Sequence, residues 1–105
     1  KKMSKIYFNK TAKEIDQLVR AFYSWPVAHF SICDQVFKVF KAKPAVGEFS
    51  GENGEVVASS SKSGLVVKCE GGAVEIVEIQ APNSKRMLAR SYLNGKKIEV
   101  GTKVC

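Results

Sequence analysis

The sequence predicts a mainly β domain with a short N-terminal helix and a short late helix, on the border of all-β and α+β, folded as an OB-like Greek-key barrel. Three observations lead there. The chain has 105 residues and 11.5 kDa, room for one domain. One stretch near its start has the helical period. After it, five or six short β-rich runs are separated by turn signals at a spacing that favours a closed Greek key over an open sheet, since closure hides strand edges. Area scaling buries roughly two-thirds of the surface of a chain this size, enough for one modest core without disulfides or metal.

Residues 1–10 are basic and irregular and read as a linker, with Ile6 and Phe8 anchoring its end. A chain that opens Lys1-Lys2-Met3 also reads as a piece of something longer, so an upstream catalytic domain is expected before residue 11 and the β domain over 11–105. Thr11-Ala12-Lys13-Glu14 is a capping box, in which the Thr hydroxyl accepts from a backbone N–H while Glu14 reaches back. Ile15, Leu18, Val19 and Phe22 then share one helical face, with Lys13, Gln17 and Arg20 opposite. Pro26 ends the helix near Tyr23.

Ala28–Cys33 and Val36–Lys43 are expected strands joined at Asp34-Gln35, and 44–54 is a loop rich in Gly, Ser, Asn and Pro. Glu55–Ser59 and Leu65–Cys69 are short β-branched runs around a Ser60–Gly64 turn. Glu70-Gly71-Gly72 turns the chain into Ala73–Gln80, whose alternation slips phase around Ile76-Val77, the mark of a bulge. Leu88–Leu93 is a short helix with an αL stop at Asn94-Gly95, and Gly101–Cys105 a last strand.

Apolar runs of three or four residues neither span a bilayer nor form a signal peptide, and no membrane partner is expected. Cys33, Cys69 and Cys105 include no CxxC pair and His29 is the only histidine, so a zinc site lacks ligands; an odd count without a signal peptide reads as reduced thiols in the cytoplasm. Cys33 and Cys69 read as small buried strand residues, Cys105 as exposed. His29 lies in an apolar strand, and Glu75 and Glu78, three apart, face opposite ways on a regular strand, so no acid–base pair is expected and no catalytic residue is assigned.

Charge is the unusual feature. The chain carries 17 Lys and Arg against 10 Asp and Glu, a net +7. Six of the acids (Glu48, Glu52, Glu55, Glu70, Glu75, Glu78) fall in 48–78 beside only Lys62 and Lys68. The bases group in the N-terminal arm, in Lys38, Lys41 and Lys43, and in Lys85, Arg86, Arg90, Lys96, Lys97 and Lys103. On a regular strand Lys41 and Lys43 share a face and Lys38 points away, as Phe37 and Phe40 do from each other. Such a balance favours a polyanion. Phe22, Tyr23, Trp25 and Phe30 gather where helix meets strand and suit packing, so a single-strand stacking platform is not expected. Contact with the phosphates of a folded RNA fits better. The rival reading is a structural module that braces a catalytic domain or mediates self-association, its charge serving solubility.

Several separated motifs, in order, resemble the C-terminal domain of methionyl-tRNA formyltransferases. IDQLVRAFYSWPVAHF (15–30) is similar to that family's R-A-F-x-x-W-P-x-A-x-F/Y stretch, VFKVFKA (36–42) to its lysine-bearing second strand, and 64–67 with 73–80 to its hairpin. Lys85-Arg86-Met87 with Tyr92-Leu93-Asn94-Gly95 resembles its K-R-M-x(4)-D-F-L-N-G segment, and Gly101-Thr102 its end. Tyr23-Ser24 stands where Asn-Pro is usual and Ser91 where an acid is usual; neither is a basic position.

The resemblance implies an OB-like barrel appended to a Rossmann-type catalytic domain that binds 10-formyltetrahydrofolate. That domain carries the Asn-His-Asp set and formylates methionyl initiator tRNA; no cofactor is expected on residues 1–105. The implied partners are initiator tRNA and the N-terminal catalytic domain, the implied state a cytoplasmic monomer. The residues assigned to RNA phosphates are Arg20, Lys38, Lys41, Lys43, Lys85, Arg86, Lys96 and Lys97. Related formyltransferases acting on sugar nucleotides carry a similar domain, so the alternative is a packing module with no RNA role.

Overall fold

A computed structural model describes residues 4–21, 27–32 and 34–104. Expectations resting on Lys1, Lys2, Phe22, Tyr23, Trp25, Cys33 and Cys105 lie outside these residues. The elements in chain order are β1 (Ser4–Lys5), α1 (Ala12–Ala21), β2 (Ala28–Ile32), β3 (Gln35–Pro44), β4 (Val56–Ser60), β5 (Gly64–Cys69), β6 (Gly72–Gln80), β7 (Arg86–Leu88) and α2 (Ala89–Gly95).

The capping box forms as expected. The Glu14 N–H donates to Thr11 Oγ1 at 3.2 Å and the Thr11 N–H to Glu14 Oε1 at 3.0 Å, satisfying two donors that a helix start leaves open. Ile15 and Val19 are buried and Leu18 packs beside them, while Lys13, Gln17 and Arg20 face water.

The strands run in the order β1-β2-β3-β6-β5-β4, with β7 added to β6. All neighbours are antiparallel except β1 and β2. The hairpin meander β4-β5-β6 returns its last strand beside β3 after the long connection through 45–55, which is the Greek-key order. The expected hairpin turns are present: Asp34 (φ 68°) turns β2 into β3 and Gly71 (φ 76°) turns β5 into β6. In the β4–β5 turn Ser60 Oγ accepts from the N–H groups of Lys62 (3.2 Å) and Ser63 (2.9 Å).

The core is one cluster, threaded by aromatic rings. Phe30 of β2 stacks on Phe37 of β3 at 5.5 Å; Phe8 meets Phe30 edge-on at 6.2 Å, and Tyr92 of α2 meets Phe37 edge-on at 5.7 Å. Four segments are thus tied through adjacent rings. Ile6 and Phe8 are buried, as expected, and Ile6 N–H donates to His29 carbonyl at 2.8 Å, so residues 4–8 form part of the packed body. Cys69 is a buried free thiol whose pKa burial pushes up.

Three local expectations change. Arg86–Leu88 is a strand and α2 begins only at Ala89, because these residues complete the outer edge of β6. The helix continues through Gly95 and stops at Lys96, which is extended (φ −128°, ψ 151°), so no αL stop forms at Asn94-Gly95. In place of a last strand there is a single bridge, Glu55 with Lys103, supported by backbone hydrogen bonds of 101–104 to Gly54 and Val56.

The largest departure is in β3. Its pairing with β6 runs Val39–Ile79, Lys41–Glu78, Ala42–Ile76, passing over Phe40 on one strand and Val77 on the other. Phe37, Val39 and Ala42 are therefore all buried, while Lys38, Lys41 and Lys43 are all exposed. A regular strand that buries Val39 also buries Lys41, and an unpaired ammonium in a core is costly. Slipping phase once on each strand avoids that cost without changing the overall register. Lys38 thus shares the outer face with Lys41 and Lys43, contrary to the regular-strand expectation. Glu75 and Glu78 likewise share that face, whereas the slip expected in β6 is present.

Truncating Leu65→Ala, at a fully buried position of β5, is expected to cost about 2–5 kcal/mol in urea unfolding. The capping hydrogen bond from the Thr11 backbone holds the Glu14 carboxyl below its ordinary pKa. A depressed folded pKa stabilises the fold above the unfolded value, near ~4.3, and that contribution is lost as pH falls through the folded value. Glu14→Gln is therefore expected to be less stable than the parent at neutral pH, and the gap to close on acidification below about pH 4. Urea midpoints of both proteins from neutral to acid pH measure it.

Candidate functional site

Residues paired across antiparallel strands share a face, so the β3–β6–β7 ladders lay out the outer surface in rows. Lys38, Gln80 and Arg86 form the first; Lys41, Glu78 and Leu88 the second; Lys43, Glu75 and Val66 of β5 the third. Lys85 immediately precedes β7 at the end of the first row. The phase slip between Val39 and Ala42 makes this alignment possible.

The side chains on this surface are organised by two carboxylates. Arg86 grips Glu78 through Nε (2.8 Å to Oε2) and Nη2 (3.1 Å to Oε1), a two-pronged pairing. Its guanidinium also lies 4.3 Å from the centre of the Phe40 ring, the residue that the slip puts outside the ladder. The Arg86 hydrogen bond lowers the Glu78 carboxyl from its ordinary pKa, with the charges of Arg86 and Lys41 adding to the effect. Glu75 receives Arg90 Nη2 at 3.4 Å and Lys43 Nζ at 3.9 Å.

Arg20 projects from the last turn of α1 and is held by Asp16 one turn earlier, Nη2 to Oδ2 at 2.7 Å. It lines a groove of 310 Å³ with Asp16, Val19, Phe40, Lys41 and Ala42. The helix and the lysine strand therefore meet at one cleft, with Arg20 and Lys41 both on its walls.

Every assigned residue is exposed: Arg20, Lys38, Lys41, Lys43, Lys85, Arg86, Lys96 and Lys97. The structure gathers Lys38, Lys41, Lys43 and Arg86 on one sheet face, with Lys85 at its edge and Arg20 at the adjoining groove. Lys96 and Lys97 follow α2, and Lys97 pairs with Glu99 at 3.5 Å; no ion pair or hydrogen bond among the described residues ties them to β3. Lys38, Lys41, Lys85 and Lys96 form no ion pair among the described residues.

Sequence reasoning left out Arg90 and Phe40 as members of this surface. Arg90 reaches it through Glu75, 15 positions away in the chain, a distance that no local motif signals. Phe40 has a local signal, since two adjacent apolar residues, Val39-Phe40, in a strand otherwise alternating, mark a slip. The arrangement offers electrostatic contact to an anion. Glu78, kept ionised by Arg86, is unsuited to general acid work.

Residues 1–97 match the family described as Formyl transferase, C-terminal domain. The methionyl-tRNA formyltransferase of Clostridioides difficile (strain 630) is 39% identical over 101 residues, covering 96% of this chain and 32% of that protein. The one from Pseudomonas entomophila (strain L48) is 35% identical over 94 residues, covering 90% of this chain and 29% of that protein. The chain thus spans about a third of the length of these curated relatives. HypX from Aquifex aeolicus, solved in complex with tetrahydrofolic acid, superposes with a TM-score of 0.65 at 20% identity, over 94% of this chain and 20% of that one, which shows a shared fold. With the match running through the capping box, the lysine-bearing β3 and the α2 region, the chain belongs to the formyl transferase C-terminal domain family.

Proposed function

We propose that this chain is the tRNA-binding C-terminal domain of a methionyl-tRNA formyltransferase, an OB-like barrel that grips the RNA backbone without reading its sequence. The observation that carries the reading is the shared face of Lys38, Lys41, Lys43 and Arg86. A row of ammonium groups on a rigid strand, with a guanidinium on the neighbouring ladder, is suited to successive phosphates and presents no base-reading pocket. The names of the relatives supply the substrate class.

In this reading residues 1–10 connect to an upstream catalytic domain, which holds 10-formyltetrahydrofolate and transfers its formyl group to methionyl initiator tRNA; the residues described here take no part in holding that cofactor. The whole protein acts as a cytoplasmic monomer in translation initiation. This domain contributes attraction and position. Arg20 and Lys41 address one stretch of backbone at the groove, and Lys38, Lys85 and Arg86 continue the track along the sheet.

Lys38, Lys41 and Lys85, which form no ion pair among the described residues, each releasing about 0.9 counterion on meeting a phosphate, predict a log–log salt slope of about −3 for a duplex-like RNA. Anisotropy of labelled initiator tRNA, titrated with this chain from ~50 to ~300 mM salt, measures it. A slope shallower than about −2 contradicts the phosphate grip and favours the bracing module. Lys38→Glu with Lys41→Glu is expected to weaken binding roughly tenfold or more at 0.1 M salt, equally for initiator and elongator tRNA, because phosphate contacts carry no sequence. Unequal loss between the two tRNAs contradicts the backbone-only mode.

A further inference from the structure

Two acids sit inside a face otherwise arranged for a polyanion. A regular β6 strand turns Glu75 and Glu78 to opposite sides; the slip at Val77 turns both outward, into the rows of Lys43 and Lys41. They are not idle there. Their side chains are only 11% and 26% exposed, and together they engage Arg86, Arg90 and Lys43. The Arg86 pairing is the telling one. Its Nε and Nη2 form a two-pronged donor that would fit a phosphate, and Glu78 occupies both prongs.

We propose that Glu75 and Glu78 are built-in competitors for the RNA backbone, carboxylates that hold part of the basic face in internal ion pairs and so limit its affinity. The inference rests on the tRNA-binding reading above. Its physical basis is exchange: a phosphate reaching Arg86 displaces Glu78 and leaves that carboxylate beside the incoming RNA, a cost the unpaired Lys38 and Lys41 do not impose. A ligand presenting several phosphates at once can meet that cost through its other contacts, and a sparse anion cannot. The acids thereby favour an extended, folded polyanion over small anions, and they keep the complex dissociable. This is discrimination by a repulsive element placed among attractive ones.

The direction of effect separates this role from a purely structural ion pair. Glu78→Gln removes the competing carboxylate from the Arg86 Nε and Nη2 prongs, so labelled initiator tRNA is expected to bind roughly three- to tenfold tighter at 0.1 M salt, with a salt slope steeper by about 0.9. The double variant Glu78→Gln, Arg86→Gln should lose that gain, which assigns it to the Arg86 guanidinium. Glu75→Gln, acting through Arg90 and Lys43, is the second probe and carries the test if thermal unfolding shows Glu78→Gln to be misfolded. Unchanged or weaker binding by the folded glutamine variants, while the parent binds with its steep slope, overturns the competitor role and leaves tRNA binding standing. A parent slope shallower than about −2 removes both.

Discussion

The structure turns on the ladder between β3 and β6. It is the central seam of the sheet, joining the β2–β3 hairpin to the β4–β5–β6 meander. Both strands carry the same pattern, an alternation broken once by two adjacent apolar residues: Val39-Phe40 on one and Ile76-Val77 on the other. Either break alone would shift the register and turn the rest of a strand inside out. Because they lie opposite each other they cancel: Val39 meets Ile79 before the slip and Ala42 meets Ile76 after it. Across the β3–β6 pairs the inward row stays apolar and the outward row stays polar, with Lys38, Lys41 and Lys43 facing Gln80, Glu78 and Glu75.

That arrangement couples packing to electrostatics. The inward residue Phe37 joins the column of rings that binds residues 4–8, β2 and α2 together, and Val39 lies in the same buried cluster. The outward residues collect cations at a density that would repel itself, and Glu75 and Glu78 offset the repulsion. Surface ion pairs of this kind contribute little to stability, typically under about 1 kcal/mol. Their larger effect is on which cations are available to an approaching anion. Lys38 and Lys41 are available at once, Lys43 and Arg90 are loosely held, and Arg86 is held by two bonds.

Much of the fold was legible in the sequence, for identifiable reasons. The capping box, the helical face of Ile15, Leu18 and Val19 and the turns at Asp34, Ser60 and Gly71 are local devices, readable from a few adjacent residues. The slip in β6 was visible as a broken alternation. The matching slip in β3 is marked by the same doubled apolar pair, Val39-Phe40, but the lysines Lys38, Lys41 and Lys43 fit an unbroken period closely enough to hide it. Leu88 reads as the first residue of the helix that follows it, and Arg86 and Met87 carry no strand signal, because three residues have no period of their own and only the open edge of β6 makes them a strand. The two-residue pairing of Ser4–Lys5 with β2 is equally silent. For the site, the basic residues themselves were legible and their grouping was not. The Arg86–Glu78 and Arg90–Glu75 pairs join residues 8 and 15 positions apart across the sheet, a proximity set by the ladder.

The measurement that bears most directly on this account is the backbone pairing of β3 with β6 in solution, read from cross-strand nuclear Overhauser contacts. The paired slips predict contacts joining Lys41 to Glu78 and Ala42 to Ile76, with Phe40 and Val77 outside the ladder. A regular ladder, with Phe40 opposite Glu78 and Lys41 opposite Val77, would turn Lys41 towards the core and contradict the single basic face.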